Sequence, residues 1–306
     1  MRFFRIMDIY NNPWEVLLRI MYKTNMLWSD KQFIKVLFHK HFRRSLDINN
    51  PQSFSEKLQW LKLYNRKIEY KQLVDKYAVK AVVESLIGPE YVIPTYGVWN
   101  SVEDIEWDVL PNEFVLKTTN GGGSCGVILC KDKSKLDIKE AINTLKRSLK
   151  QDIYKIYREW PYKGIPKKII AEKLLVDDKE SVLNDYKVLC FNGVAKLIEY
   201  HHGRFTSEHT QNFYDRDWNL TSITQGSYGL YQLKPTTKPE QLDEMIRLSE
   251  VLAQGMPHIR VDWYIVNGKL YFGELTFFDG SGLFPFDKEE DDLLLGSWID
   301  LPSKTV

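Results

Sequence analysis

Apolar residues in this chain follow two spacings, and the switches between them mark out its elements. After Pro13, which suits a first helical turn, Trp14, Leu17, Leu18 and Met21 recur at helical intervals. A second helix is predicted from Asp30 through Phe33, Val36, Leu37 and Phe38. Ser53 is followed three residues later by Glu56, a capping box that opens a third helix through Leu58, Trp60, Leu61 and Tyr64. One further helix is predicted across Leu73, Tyr77, Val79, Val82 and Val83, stopping near Gly88-Pro89. Residues 91–99 read as a strand and turn, broken by Pro94 and Gly97. Residues 138–156 have helical spacing and 167–175 read as a buried strand. A hairpin is predicted over 186–199 about Asn192-Gly193. A polar stretch over 201–219 follows, then a helix over 240–252, a closing hairpin over 259–277 and an acidic tail, DKEEDD, from Asp287.

The sequence EFVLKTTNGGGSCGVILC, residues 113–130, stands out chemically. Four glycines, Gly121, Gly122, Gly123 and Gly126, fall within six positions together with Ser124 and Cys125. Backbone this bare can turn N–H groups toward a phosphate at close range. It is not a P-loop, because no lysine follows Gly126, and not a dinucleotide fingerprint, because residues 127–130 read as a strand rather than a helix. Strand, glycine loop, strand describes a flap able to close over a nucleotide, with Lys117 on the entering strand reaching its phosphates. An ordinary glycine-rich turn has the same local pattern.

The closing hairpin holds a second constellation: Arg260, Asp262, Glu274 and Thr276. Its register decides whether they meet. A two-residue Asn267-Gly268 loop sets Asp262 opposite Gly273 and turns Glu274 to the other face. A three-residue loop, or an equivalent bulge, sets Asp262 opposite Glu274 and Arg260 opposite Thr276. The second register is the one expected, with Val261, Trp263, Ile265, Tyr271 and Leu275 filling the opposite face. Adjacent carboxylates with a threonine hydroxyl are hard oxygen ligands suited to Mg²⁺ carrying nucleotide phosphates, or else solvated surface groups.

Together these pieces resemble the ATP-grasp enzymes, most closely the TupA-like branch associated with teichuronopeptide biosynthesis, over about Ser53 to Pro285. The resemblance implies an α+β fold, the ATP-grasp fold, whose two α+β lobes clasp ATP, here with a helical amino-terminal region. The implied organisation is a helical region over 1–52, a small lobe with the first phosphate lysine over 53–112, a lobe with flap and adenine hinge over 113–177, and a carboxyl-terminal lobe with metal and acceptor sites over 178–306. It implies that Lys76, after Asp75, and Lys117 hold ATP phosphate under the Gly121–Gly126 flap. Glu172, Lys173, Leu174 and Leu175 become the adenine hinge, with a carboxylate toward the ribose. Asp185 and Lys187 resemble an acidic–x–basic strand start, with Lys187 a third phosphate ligand. Arg260 would stabilise the reacting acyl group, while Asp262, Glu274 and Thr276 would hold Mg²⁺ (or Mn²⁺). Thr276 departs from the usual asparagine, and the helical amino terminus departs from the usual α/β domain.

The implied chemistry is ATP-dependent joining of a carboxylate to an amine through an acyl phosphate, with release of ADP and phosphate. The expected partners are a carboxylate-bearing sugar or polysaccharide, a uronic acid above all, and an amino acid, in bacterial capsular or cell-wall polysaccharide synthesis. His201, His202, Arg204, Ser281 and Gly282 are the expected acceptor-site residues. Two other readings stay open. Asp215-Arg216-Asp217 is a D-x-D triplet of the kind found in nucleotide-sugar glycosyltransferases, and the same fold could stop at phosphoryl transfer to an alcohol.

Composition narrows this little further. A net charge of +1 points to no nucleic-acid partner, although residues 1–50 hold nine Lys/Arg against four Asp/Glu, so the amino-terminal helices could lie on an anionic membrane surface. The alternative expected for them is a helical pair packed on the domain behind. Three cysteines without a C-x-x-C pair, and no apolar run of membrane-spanning length, suggest the cytoplasm.

Overall fold

In the computed structural model of the protein, residues 13–122, 126–178, 182–204, 206–207, 209–226 and 235–305 are described. Gly123, Ser124 and Cys125 lie outside them. Helices α1 (Pro13–Lys23) and α2 (Asp30–Phe42) follow the predicted stripes, with Ser29 and Gln32 closing a capping box before α2. Leu18, Met21, Phe33 and Leu37 bury one another against Leu283. The pair is thus packed on the body, as the second of the two expectations had it. Each such buried side chain contributes about 1.5–3 kcal/mol. No helix among the described residues is long and apolar enough to cross a membrane.

Ser53 and Glu56 form the predicted capping box at the head of α3 (Phe54–Tyr64). The single helix predicted next is two, α4 (Tyr70–Val74) and α5 (Ala78–Ile87). Asp75 makes the break: its carboxylate accepts from the N–H groups of Tyr77 (2.9 Å) and Ala78 (2.8 Å), which starts α5 afresh. Strand β1 (Thr95–Trp99) follows, then β2 (Phe114–Thr118) and β3 (Ile128–Cys130) on either side of the glycine loop. The helical run predicted to Ile156 also divides, into α6 (Ile138–Leu149) and α7 (Ile153–Tyr157), because Asp137 and Asp152 each cap a helix start.

Strand β4 (Ile169–Glu172) completes a four-stranded antiparallel sheet of order β1-β4-β2-β3. The second sheet has five antiparallel strands in the order β7-β6-β5-β8-β9. Its first hairpin, β5 (Asp185–Phe191) and β6 (Val194–His202), turns at Asn192 (φ 49°) and Gly193 (φ 83°), a two-residue turn with both residues at positive φ. Strand β7 (Thr210–Asp215) lies inside the stretch that sequence patterning leaves unassigned. Gln211, Asn212, Phe213 and Tyr214 are buried on both faces, so no alternation betrays it. Helix α8 (Leu242–Leu252) packs on this sheet, burying Leu242, Met245 and Leu252 against Val188, Val261 and Trp263, while the Trp263 indole donates to Ser249 Oγ (2.8 Å).

The closing hairpin, β8 (His258–Val266) and β9 (Lys269–Thr276), has the predicted register, by the bulge rather than by the three-residue loop. Its turn has two residues, Asn267 (φ 48°) and Gly268 (φ 77°), so Val266 pairs with Lys269. A bulge then leaves Gly273 unpaired, so that Trp263 opposes Phe272 but Asp262 opposes Glu274 and Arg260 opposes Thr276. A Cβ on Gly273 would stand 3.1 Å from Asp262 O and 3.2 Å from the Tyr264 ring, which favours glycine there. The bulge also moves Tyr271 to the polar face, opposite Tyr264, and gives its expected core place to Phe272.

The acidic tail is not a tail. Residues 289–297 form α9 (Glu289–Ser297), whose Asp292 accepts from the Ser55 N–H (2.8 Å) and hydroxyl (3.0 Å) at the head of α3. Gly296 lets the two helices touch: a Cβ there would meet Gln52 O at 2.2 Å and Phe54 N at 2.6 Å. Gly296→Ala is therefore expected to destabilise the fold by about 1–3 kcal/mol through overpacking, read as a lower urea midpoint at unchanged m-value.

Candidate active site

Lys76 links the two sheets. Its backbone N–H donates to Thr119 O (3.2 Å) just past β2, and its Nζ reaches Glu274 Oε2 (2.5 Å) on β9. The break that Asp75 makes in the helix is what frees Lys76 to do so.

On the five-stranded sheet, cross-strand pairing lines up Glu199, Lys187, Asp262 and Glu274 on β6, β5, β8 and β9. Lys187 Nζ donates to Asp262 Oδ2 (2.7 Å). Arg260 grips the same carboxylate in bidentate fashion, Nε to Oδ1 (2.7 Å) and Nη2 to Oδ2 (2.8 Å), and extends to Asp279 and to Thr276 Oγ1 (3.3 Å). Burial alone would raise the Asp262 carboxyl, but Arg260 and Lys187 outweigh it and hold it well below the usual range. Burial and Arg260 both press the Lys187 ammonium downward, yet Asp262, Asp185 and Glu199 keep it above its ordinary value. For Asp279 burial prevails over Arg260 and pushes the carboxyl up.

On the four-stranded sheet, Glu172 is buried with both oxygens engaged, Oε2 by Lys117 (2.5 Å) and Oε1 by Lys80 (2.5 Å). Glu172 thus sits within the lysine cluster, between Lys80 and Lys117. Lys80 is also anchored on Ile93 O (2.6 Å) and Thr95 Oγ1 (2.8 Å). Where β4 ends, Lys173 N–H donates to Pro94 O (2.9 Å), and a cavity of about 170 Å³ opens between Lys173, Leu175, Val176, Val266, Lys269 and Tyr271. Leu174 is half-buried beside it. At the base of the glycine loop, Gly121 and Gly122 follow the buried Asn120, and Gly126 sits at φ 81° against Ser148, where a Cβ would clash at 2.3 Å.

The expected acceptor residues part company. His201 and His202 are neighbours on a strand and face opposite ways. His201 turns to the polar face, with Nε2 on Glu199 Oε1 (2.6 Å) and Nδ1 on His209 Nε2 (2.9 Å), whereas His202 Nδ1 meets Asn184 Oδ1 (3.0 Å). Arg204 pairs with Asp185 (2.6 Å). Ser281 lies in a left-handed turn, Gly280-Ser281-Gly282, clamped from behind. Its Oγ donates to Glu159 Oε1 (2.6 Å), and its Oγ and carbonyl accept from Lys62 (3.0 and 2.7 Å). Burial pulls the Lys62 ammonium down to about 8. The Gly282 carbonyl accepts from Gln59 (2.8 Å).

Sequence reasoning missed Lys80, Glu199, His209, Asp279 and the Lys62–Glu159 clamp. Only Lys80 left a local trace, one helical turn beyond Lys76. The rival D-x-D triplet is used up locally: Asp215 accepts from Asp217 N–H (2.9 Å) and Asn219 N–H (2.8 Å), and Arg216 pairs with Glu250.

Asp262 and Glu274, with Thr276 on the same face, offer oxygen donors of the kind that suits a hard cation such as Mg²⁺. Lys76, Lys187 and Arg260 already engage these oxygens, and no cluster of three or more metal-binding His, Cys, Asp or Glu side chains is found among the described residues. A metal fits here only alongside an anion that draws those cations away.

Asp262→Asn leaves Arg260 and Lys187 buried without their shared counter-charge, an expected loss of about 3–5 kcal/mol. Because the folded Asp262 carboxyl sits below its unfolded value, the stability it gives is full above that unfolded value, near pH 4, and is lost as pH falls through the lower folded one. Denaturant titrations between pH 2 and 7 should show that acid-sensitive component in the native protein and a reduced one in Asp262→Asn.

The family model for TupA-like ATP-grasp proteins matches residues 56–300. No curated protein matches the chain significantly. Among solved structures, the chain is similar to D-alanine–D-alanine ligase from Helicobacter pylori, at 14% identity and TM-score 0.42, covering 82% of this chain and 70% of that one. The ATP complex of the Bacillus anthracis D-alanine–D-alanine ligase follows at 16% identity, TM-score 0.40 and coverage of 73% and 63%. D-cycloserine synthetase DcsG gives 14%, 0.41, 75% and 66%. The chain thus spans about two thirds of the length of these neighbours. With the family model spanning both sheets and the residues just described, the chain belongs to the TupA-like ATP-grasp family.

Proposed function

We propose that the protein joins a carboxylate, a uronic acid of a surface polysaccharide or its precursor, to the amine of an amino acid at the expense of ATP. The observation that carries this reading is the set of cations on the two sheets and the segment joining them, Lys76, Lys80, Lys117, Lys187 and Arg260, each paired with a carboxylate. Bound phosphates would replace some of those carboxylates as partners. Fixed cations at the site of developing charge are what phosphoryl transfer requires, since little covalent chemistry falls to the protein.

In this reading Lys76, Lys117 and Lys187 bind the ATP phosphates, and Gly121, Gly122 and Gly126 offer backbone N–H groups to them. The hinge Lys173–Leu175 and Tyr271 line the adenine cavity, with Glu172 fixing Lys80 and Lys117. Mg²⁺ or Mn²⁺ held by Asp262 and Glu274, with Thr276 nearby, supplies further neutralisation of phosphate charge. The substrate carboxylate takes the γ-phosphoryl group and becomes an acyl phosphate. Arg260, kept charged and oriented by Asp262 and Asp279, stabilises the oxyanion formed when the amine nitrogen attacks. Phosphate then leaves with the bonding pair from the broken C–O bond. Arg204 and the Gly280–Gly282 turn contribute to acceptor binding.

Mg²⁺-dependent stabilisation by ATP is the first expectation, about 2.7 kcal/mol at a ligand concentration one hundred times Kd. Lys117→Ala should weaken that shift and lower turnover by about 10²–10³-fold. ADP release should require a uronic acid and an amino acid together. Stabilisation by a UDP-sugar alone, unaffected by Lys117→Ala, would contradict the reading, and ADP release with an alcohol but no amine would replace it with a phosphotransferase.

A further inference from the structure

We propose that Lys80 is a positioning residue that keeps hold of the buried Glu172 carboxylate, so that Lys117 can leave it for the nucleotide phosphates. The inference rests on the ligase reading above and gives different tasks to two lysines that share one carboxylate.

Strand pairing brings the acid and one lysine to a common face. Glu172 closes β4, the strand that lies between β1 and β2 in the four-stranded sheet. It stands opposite Thr95 on β1 and Val115 on β2. Lys117 follows Val115 by two residues, and residues two apart on a strand share a face. Lys80 comes from outside the sheet, as the third residue of α5, the helix that Asp75 starts afresh. Its ammonium reaches the same face at Thr95 and Glu172.

The two ammonium groups are engaged to different extents. Lys80 Nζ donates to Ile93 O (2.6 Å) and Thr95 Oγ1 (2.8 Å) and meets Glu172 Oε1 (2.5 Å). An ammonium has three N–H donors, so all three are taken and none is left for a phosphate oxygen. Lys117 Nζ meets Glu172 Oε2 (2.5 Å) and has no second hydrogen-bond or ion-pair partner among the described residues. Lys80 is buried, whereas Lys117 is half-buried. Lys117 is therefore the partner able to move, and Lys80 the one that stays.

Electrostatics explain why a second cation is needed. Burial raises the Glu172 carboxyl, and Lys117, followed by Lys80, outweighs it and keeps the group ionised. A buried carboxylate stripped of its only cation is strongly unfavourable. If Lys117 were alone on Glu172, drawing it onto phosphate would leave such a carboxylate behind. With Lys80 fixed on the other oxygen, one ion pair persists, and the move of Lys117 exchanges one anion for another. Lys80 itself sits where a cation is poorly placed: it lies in the first turn of α5, at the positive end of the helix dipole, and burial presses its ammonium below the ordinary value. Glu172 opposes both effects, so the two residues hold each other whether or not Lys117 is present.

The test measures the Kd of ATP with Mg²⁺ by calorimetric titration, beside the urea midpoint, for native protein, Lys80→Met, Glu172→Gln and the double variant Lys80→Met/Glu172→Gln. Lys80→Met is expected to weaken ATP binding at least about tenfold, because Lys117 is then the only cation on Glu172. Removing the charge of that carboxylate as well should reverse the loss, so the double variant is expected to bind ATP within about threefold of Glu172→Gln. A lysine that only packs would lower the urea midpoint and show no such recovery. Unchanged ATP binding in Lys80→Met, or a double variant weaker than Glu172→Gln by more than that margin, would overturn the positioning role and leave the ligase reading standing; the second result would put Lys80 on phosphate itself. The comparison of the double variant with Glu172→Gln holds even if Lys80→Met alone does not fold. Native protein that binds no ATP with Mg²⁺ would remove the ligase reading, and the inference with it.

Discussion

A buried patch holding Arg260, Lys187 and Asp262 is tolerable only because each charge is matched at hydrogen-bonding distance. One carboxylate serves two cations, and a second, Asp279, takes the remaining arm of the guanidinium. Much of the fold serves that arrangement. The β8–β9 register must bring Glu274 and Thr276 to the same face, which the Gly273 bulge does; the Gly280–Gly282 turn must follow closely enough to aim Asp279, which Lys62, Gln59 and Glu159 secure from the helical side. The amino-terminal helices enter through Leu283, which buries itself among Leu18, Met21, Phe33 and Leu37 directly after that turn. A change in the helical region therefore has a short mechanical path to the guanidinium.

The ion pairs also set the order of events in the proposed reaction. Lys76 is held by Glu274, and Lys117 and Lys80 by Glu172, so none of these three cations is left in an apolar setting. Phosphate oxygens compete for the same donors. Drawing Lys76 onto phosphate would free a Glu274 oxygen beside Asp262, which Arg260 and Lys187 still hold.

How far this was legible in the sequence depended on the range of the interactions. Local signals were read well: the Ser53–Glu56 capping box, both Asn-Gly turns, and the face shared by Arg260, Asp262, Glu274 and Thr276. Whether a bulge or a longer loop makes that shared face was left open by the sequence, since both produce the same pairing beyond Gly273, and only the faces of Tyr271 and Phe272 distinguish them. Aspartates misled twice, because Asp75 and Asp152 cap new helices inside runs whose apolar spacing continues across them. Glu199, His209, Asp279 and Lys62 owe their places to strand pairing and to contacts across long sequence separations, which no local pattern encodes. Strand β7 was hidden because both of its faces are buried, with polar Gln211 and Asn212 inside beside Phe213 and Tyr214.

The central claim is that a substrate carboxylate passes through an acyl phosphate on its way to an amide. The fate of a carboxylate oxygen tests it most directly. A uronic acid labelled with ¹⁸O in its carboxylate, turned over with ATP and an amino acid, should deliver one labelled oxygen to the phosphate released, because the bridging oxygen leaves with phosphorus when the amine displaces it. Product formation with unlabelled phosphate, or label retained entirely in the sugar, would contradict the account.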